Sequence, residues 1–256
     1  MKIIGCQFDI RWEDREANHT KVLKIVQEAS PAPGSLVVLP EMFASGFSMN
    51  VDAIAEDLNG PTQTFLSNLA AAFKAFVLGG IVTRHKDGRG MNQAVIYAPS
   101  GEEIGRYSKM HPFSYAGETD HYAPGQRIEI FTCGAFLVAP LVCYDLRFPE
   151  AFRAATRKGA QLFTVIANWP AAREDHWLCL LKARAIENQA FVIGINRCGA
   201  DPNNSYSGRS LILDPRGAVL ADAGTGEGRV EADLDIQKML SYRKEFPALE
   251  DMRTDL

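Results

Sequence analysis

The chain reads as an α/β protein of layered sheets covered by helices on their outer faces, and three observations point that way. Apolar runs of strand length recur from end to end, most of them without alternation, as in strands buried on both faces. Amphipathic helical patterns separate several of these runs. Later in the chain, hairpin signals replace helical connections, so the sheets are mixed rather than parallel throughout.

Taken in order, a first strand is expected over residues 3–10 (IIGCQFDI), a helix over about 16–29, and a strand over 36–39 (LVVL) that stops at Pro40. A helix over about 62–75 leads into strands at 76–82 (FVLGGIV) and 94–97 (AVIY). The run 136–142 (FLVAPLV) ends at Cys143, and the proline-bearing sequence after it opens a helix over about 148–158. A strand at 162–167 (LFTVIA) precedes a helix over about 175–190. Leu178, Leu181 and Ala185 share one stripe of that helix, with Lys182, Glu187 and Asn188 off it. Strands at 191–195 and 210–213 follow, the latter entering a hairpin whose turn is Asp214, Pro215, Arg216 and Gly217. With 256 residues, 46% of them hydrophobic, and no Ser/Gly/Pro-rich linker, one domain over 1–256 with one large core is expected.

Charge and cysteine usage narrow the function class. The net charge of −4, from 27 basic and 31 acidic side chains without long blocks, leaves no footprint for nucleic acid or anionic lipid. Five cysteines, with no C-x-x-C pair, read as free thiols in a reducing cytoplasm. The opening MKIIGCQFDIRWEDRE reaches acidic residues before a signal-peptide core can form, and no apolar stretch approaches a membrane span. A small-molecule enzyme is the natural expectation.

Three residue types then supply chemistry. Cys143 ends a buried strand where the unpaired N–H groups of a following helix favour a thiolate, although a free cysteine in such surroundings is more often a small inert hydrophobe. Glu41 stands just past the strand 36–39, at the end where α/β sheets collect ligands; alone it is a loop carboxylate. Lys109, in YSKMHPF, is in isolation one more solvated lysine, but beside carboxylates it would remain a cation suited to a developing oxyanion. Glu118, nine residues on, would orient that ammonium if it folds back. Together Cys143, Glu41 and Lys109 provide a nucleophile, a proton acceptor and a cation, the parts that acyl transfer through a thioester needs. The backbone N–H of Tyr144 would share the oxyanion. Among the histidines, His85, His111, His121 and His176 could offer a Cys–His alternative, with His111 the one nearest in sequence to Lys109. Cys6, Cys133, Cys179 and Cys198 sit in apolar patterns and read as inert.

The segments LPEMF, YSKMHPF and LVCYDLRFPE, in that order, resemble the three signature regions of the carbon–nitrogen hydrolase, or nitrilase, superfamily. The resemblance runs almost end to end, through ANWP, ARAIENQ and SGRSLILDPRG. It implies a four-layer α-β-β-α sandwich, a cysteine nucleophile, a second glutamate at Glu118, no metal, no cofactor, and assembly as a homodimer or larger homo-oligomer. It also implies that Asp145 and Arg147 match a recurrent part of the pattern around the nucleophile, where they are expected to pair structurally. PEMFASGFSMN, ANWPAAREDHW and ARAIENQAFVIGINRCG are most similar to the omega-amidase branch, which hydrolyses the terminal amide of 2-oxoglutaramate and 2-oxosuccinamate. N-carbamoyl amines, N-carbamoyl amino acids and nitriles are the alternative substrates, and a catalytically silent binding protein on the same fold is the alternative class. Independently, ANWPAAR leaves a sheet at the same end as Cys143 and brings Trp169 and Arg173, a wall and a guanidinium for a substrate carboxylate. Arg173 reads equally well as the exposed start of the next helix. Phe43 and Phe113 are further candidates to line the pocket.

Overall fold

The computed structural model describes residues 1–253; residues 254–256, the end of the domain assigned to 1–256, lie outside the described residues. The first half of the chain forms β1 (Lys2–Gln7), α1 (Arg15–Ala29), β2 (Leu36–Val38), α2 (Val51–Ile54), α3 (Pro61–Phe73), β3 (Phe76–Arg84), β4 (Gly90–Tyr97), β5 (Glu103–Ser108) and α4 (Glu118–His121). The second half forms β6 (Phe131–Cys133), β7 (Phe136–Val142), α5 (Pro149–Arg157), β8 (Leu162–Ala167), α6 (Glu174–Asn188), β9 (Phe191–Asn196), β10 (Cys198–Ala200), β11 (Ser205–Ser207), β12 (Leu211–Leu213), β13 (Val219–Asp222), β14 (Gly228–Asp233) and α7 (Ile236–Glu245).

Two six-stranded mixed sheets result, ordered β14-β1-β2-β3-β4-β5 and β13-β12-β9-β8-β7-β6, with β10 and β11 forming a separate two-stranded ribbon. At the centre of each lie three parallel strands, β1, β2 and β3 in one and β7, β8 and β9 in the other, flanked by antiparallel neighbours. The expected α-β-β-α sandwich is what forms. Strand pleating sends successive side chains to opposite faces. Ile3, Leu36, Val38, Leu78, Ala94 and Ile96 accordingly enter the core shared with Phe136, Val138 and Leu141 of the second sheet. Their neighbours Ile4, Val37, Leu39, Val77 and Val95 meet Val22 and Val26 of α1 and Leu66 and Leu69 of α3 in an outer core. This double burial is why the strands look apolar without alternation.

The first strand stops at Gln7, three residues earlier than expected, and the marginal strands β5 and β14, like β11 of the ribbon, carry too much polar sequence to have been legible. In α6, Leu181 and Ala185 face inward as expected. Asn188, expected off that stripe, is buried because its amide bonds the Arg184 carbonyl and receives the Thr156 hydroxyl. The Asp214–Gly217 turn forms as read, with the Asp214 side chain accepting from the N–H groups of Arg216 and Ala218. Among the described residues, no helix is long and apolar enough to cross a membrane.

Candidate active site

The carboxyl ends of the central strands meet at one end of the sandwich, as open α/β sheets arrange their ligand sites. Glu41 follows β2, Cys143 follows β7 and Asn168 follows β8, while Lys109 lies immediately after β5, paired with Asn92 of β4 through its backbone N–H. The sequence places two left-handed residues here. Cys143 has φ 48° and Met42, next to Glu41, has φ 44°, a region that side chains other than glycine's occupy only under constraint. The Glu41 turn is held against β3, where Gly80 donates to the Pro40 carbonyl and accepts from Phe43 N–H. A Cβ on Gly80 would lie 2.5 Å from Glu41 Cα, so only glycine permits this approach.

Glu41, Lys109 and Glu118 are sealed from solvent at 0%, 2% and 0% exposure, and Cys143, at 9%, opens onto a cavity of about 690 Å³. Lys109 Nζ donates to Glu41 Oε1 at 2.9 Å and to Glu118 Oε2 at 2.8 Å, so the fold-back expected of Glu118 occurs. Glu118 also accepts the Phe113 N–H. Two asparagines complete the cluster. Asn92 Nδ2 donates to Glu41 Oε1 and Glu118 Oε1; Asn168 gives its backbone N–H to Glu41 Oε2 at 2.8 Å and its side-chain amide to the Glu41 carbonyl at 2.7 Å. Neither was singled out from the sequence, because an asparagine in a strand or after one carries no local signal of charge stabilisation.

These contacts set the charges. Burial opposes ionisation of Glu41, yet the Lys109 charge and the donors Asn92, Lys109 and Asn168 hold its carboxyl below the ordinary value. Burial likewise opposes a charged Lys109, and Glu118 and Glu41 overcome it, keeping the ammonium well above its ordinary value. The Cys143 thiol is pushed well up, first by burial and then by the Glu41 charge, with Lys109 opposing; its hydrogen-bond acceptor is the Asn168 carbonyl, 3.9 Å from Sγ. This corrects the expectation of a helix-stabilised thiolate. Cys143 opens only a single 3₁₀ turn, Cys143–Arg147, and α5 does not start until Pro149. The site therefore pairs a neutral thiol with an ionised carboxylate.

Asp145, expected to pair with Arg147, does not. It is buried, accepting from Tyr107 Oη at 2.8 Å, Val142 N–H at 3.0 Å and His111 N–H at 3.0 Å, with the His111 ring Nδ1 at 2.7 Å. His111 thus turns to Asp145 and stacks on Phe148, and a Cys–His pair is not what the site assembles. His176 meets Arg147 and His85 meets Asp87. Arg147 instead lines the cavity, its guanidinium 4.8 Å from the Trp169 ring centre. Arg173, Trp169, Phe113 and Tyr144 line the same cavity, with Arg173 over the Phe113 ring at 5.6 Å. Phe47, which the sequence did not flag, lies on that wall too, its ring centre 5.2 Å from Lys109 Nζ. Phe43 does not line it: the turn after β2 sends this ring into the outer core beneath α1 and α3. Of the other cysteines, Cys6, Cys133 and Cys198 are buried, while Cys179 is exposed on α6, contrary to its apolar local pattern.

The family model for carbon–nitrogen hydrolases matches residues 4–244. A 2-oxoglutaramate amidase of Bacillus subtilis is 36% identical over 255 residues, covering 99% of this chain and 98% of its own length. The omega-amidase YafV of Escherichia coli K12 is 35% identical, covering 98% and 96%. A crystal structure of a carbon–nitrogen hydrolase superfamily protein from Xanthomonas campestris, carrying an arsenic adduct in its active site, superposes with a TM-score of 0.91 at 34% identity over 99% of this chain and 97% of that one. With a sandwich of this topology and a match of this extent, the chain belongs to the carbon–nitrogen hydrolase family, whose reactions are hydrolyses of carbon–nitrogen bonds other than peptide bonds.

Proposed function

We propose that the protein is an amidase that hydrolyses the terminal carboxamide of a small omega-amido carboxylate, such as 2-oxoglutaramate or 2-oxosuccinamate, through a thioester on Cys143 with release of ammonia. The observation that carries this reading is the convergence of a neutral thiol, an ionised buried carboxylate and a buried ammonium beside one cavity. The names of the two bacterial relatives support the substrate class.

In this mechanism Cys143 Sγ attacks the carboxamide carbon as its proton passes to Glu41. Oxygen becomes an oxyanion held by Lys109 Nζ and the Tyr144 N–H, the latter in the first turn after the strand where backbone donors lack helical partners. Glu41 returns the proton to nitrogen as the C–N bond breaks and ammonia leaves. A water then gives a proton to Glu41 and attacks the thioester carbonyl; the acid departs and the proton returns to sulfur. Glu118 accepts from Lys109 and keeps the ammonium aimed, without touching the substrate. Arg173, joined by Arg147, offers guanidinium donors to the distal carboxylate, with Trp169 and Phe113 as walls. Five free cysteines suit a reducing cytoplasm, and a homo-oligomer is the expected assembly.

The test is ammonia release from 2-oxoglutaramate by the wild-type and Cys143→Ala proteins, run beside N-carbamoyl amines, N-carbamoyl amino acids and simple nitriles. Turnover of the omega-amide, abolished by Cys143→Ala, is expected. A preference for carbamoyl substrates or nitriles would overturn the substrate assignment; undiminished turnover by Cys143→Ala would overturn the mechanism. No turnover and no acyl adduct with any substrate would favour a binding protein on the same fold.

A further inference from the structure

Asn92 sits in the middle of the buried cluster, reached from β4, directly across the strand ladder from Lys109. Its amide donates to Glu41 Oε1 at 2.7 Å and to Glu118 Oε1 at 2.9 Å. Lys109 Nζ spans the same two carboxylates, at 2.9 Å to Glu41 and 2.8 Å to Glu118. The four side chains close a ring in which donors and carboxylates alternate. The amide's orientation follows from chemistry, since flipping it would set Oδ1 against two carboxylate oxygens. As placed, Oδ1 is buried without a hydrogen-bond partner among the described residues. A strand residue that leaves its own carbonyl unsatisfied in order to give both donors to carboxylates is poorly explained by stability alone.

The ring holds two carboxylates and one ammonium, so it is short of positive charge. A second cation in place of Asn92 would stabilise Glu41 as an anion but blunt its basicity; a neutral amide stabilises the charge less and fixes the oxygen in space. Glu41 is otherwise faced by Lys109 from the segment after β5, Glu118 and Tyr122 from and just after α4, Cys143 from the turn after β7, and Asn168 from the segment after β8. Of these neighbours, Asn92, Lys109 and the Asn168 N–H donate to the carboxylate.

We propose that Asn92 is a positioning residue of the reaction: its amide fixes Glu41 Oε1 and keeps that carboxylate ionised, so that Glu41 stands ready to take the Cys143 proton. The inference rests on the role of base given to Glu41 in the proposed mechanism. Burial works against the anion and the donors work for it, so removing one donor raises the pH at which Glu41 takes up a proton. A hydrogen bond to a charged group corresponds to a displacement of about one to two pH units.

The experiment is the pH dependence of iodoacetamide alkylation, read on the Cys143 peptide by mass spectrometry so that exposed Cys179 does not contribute. In the wild-type protein the rate is expected to be flat from about pH 5 to 8 and to fall only below the ordinary carboxylate range, because Glu41 rather than hydroxide takes the thiol proton. Asn92→Leu, of similar volume, is expected to keep a plateau and to move its acid limb up by about one to two units. Asn92→Asp, nearly isosteric and adding a third carboxylate, is expected to move it further, and serves in the same assay should the leucine protein not fold. A lower plateau with an unmoved limb in the folded variants overturns the proposal, since a structural role alone predicts that outcome. Glu41→Gln is the control for the role of Glu41 itself: loss of the plateau supports Glu41 as base. An unchanged profile there removes the base, and Asn92's role with it, and is distinguishable from a failure confined to the Asn92 variants.

Discussion

Replacing Asp145 by alanine is expected to cost both stability and turnover, for separate reasons. The carboxylate is wholly buried and accepts from Tyr107 Oη, Val142 N–H and His111 N–H, with the His111 ring as a fourth neighbour. Deleting it strands those donors away from water, and each buried donor left unpaired costs about 1–3 kcal/mol. One water entering the space relieves part of this, leaving a net loss of about 3–5 kcal/mol, in the range for breaking a buried polar network. For a chain of this size the melting midpoint should fall by roughly 10 °C. The second loss concerns the Cys143 backbone, whose φ of 48° costs on the order of 1–3 kcal/mol and persists only where neighbours enforce it. Asp145 is the enforcing group, tying the residue before Cys143 to two residues that flank Lys109. With it gone the turn relaxes, and a displacement of sulfur by about 1 Å lowers kcat on the order of a hundredfold. Thermal unfolding by circular dichroism and kcat at 25 °C, where the variant remains folded, read the two losses separately. A variant that melts lower but keeps wild-type kcat refutes the positioning role. One that melts within a degree or two of wild type refutes the hydrogen-bond count.

Four further outcomes are expected from the geometry. Because the Glu41 carboxyl is held below its ordinary value, kcat/KM should lose activity only as pH falls beneath the usual carboxylate range, and stability linked to this group is fully present above the unfolded value and lost as pH falls through the folded one; a limb near neutrality, checked by a pH profile, would contradict it. Gly80→Ala should reduce kcat at least tenfold by displacing the Glu41 backbone, from which a Cβ would be 2.5 Å away, and a kinetically normal variant would show that β3 can yield. Arg173→Ala and Arg147→Ala should raise KM for carboxylate-bearing amides by about tenfold to a hundredfold with little effect on neutral amides; equal effects on both would remove carboxylate recognition. Phe43→Ala should lower stability by about 3–5 kcal/mol while leaving KM near wild type, measured by denaturant unfolding and steady-state kinetics.

Much of the fold was legible because its central strands are apolar on both faces, and such runs stand out without alternation. The marginal strands escaped notice for the opposite reason: in β5 and β14 half-exposed polar residues interleave with apolar ones over only six positions. In the site, residues with a charge or a thiol declared themselves, since Glu41, Lys109, Glu118 and Cys143 each carry chemistry that can be weighed in isolation. Asn92, Asn168 and Phe47 do not; their part depends on what a distant strand brings beside them. Phe43 misled because nearness to Glu41 in sequence says nothing about the face onto which a side chain emerges. Arg147 misled because structural pairing with Asp145 was expected of it, whereas the 3₁₀ turn that forms there points the carboxylate inward and the guanidinium outward.

Double burial of the first sheet also bears on how the strands find their register. In a sheet with one wet face, a slip by one residue exposes every apolar side chain and is rejected at once. Here the penalty is weaker, because sliding β2 by one residue exchanges Leu36 and Val38 for Val37 and Leu39, one leucine and one valine in either set, and leaves both faces apolar. What a slip cannot accommodate is the polar end of the strand. It would carry Glu41 away from Lys109, Asn92 and the Asn168 N–H, leaving buried charge and donors unmatched on three other segments. The residues assembled for chemistry therefore also act as the alignment marks of the sandwich, and variants that neutralise Glu41 or Lys109 should be examined for heterogeneous strand pairing during refolding as well as for lost turnover.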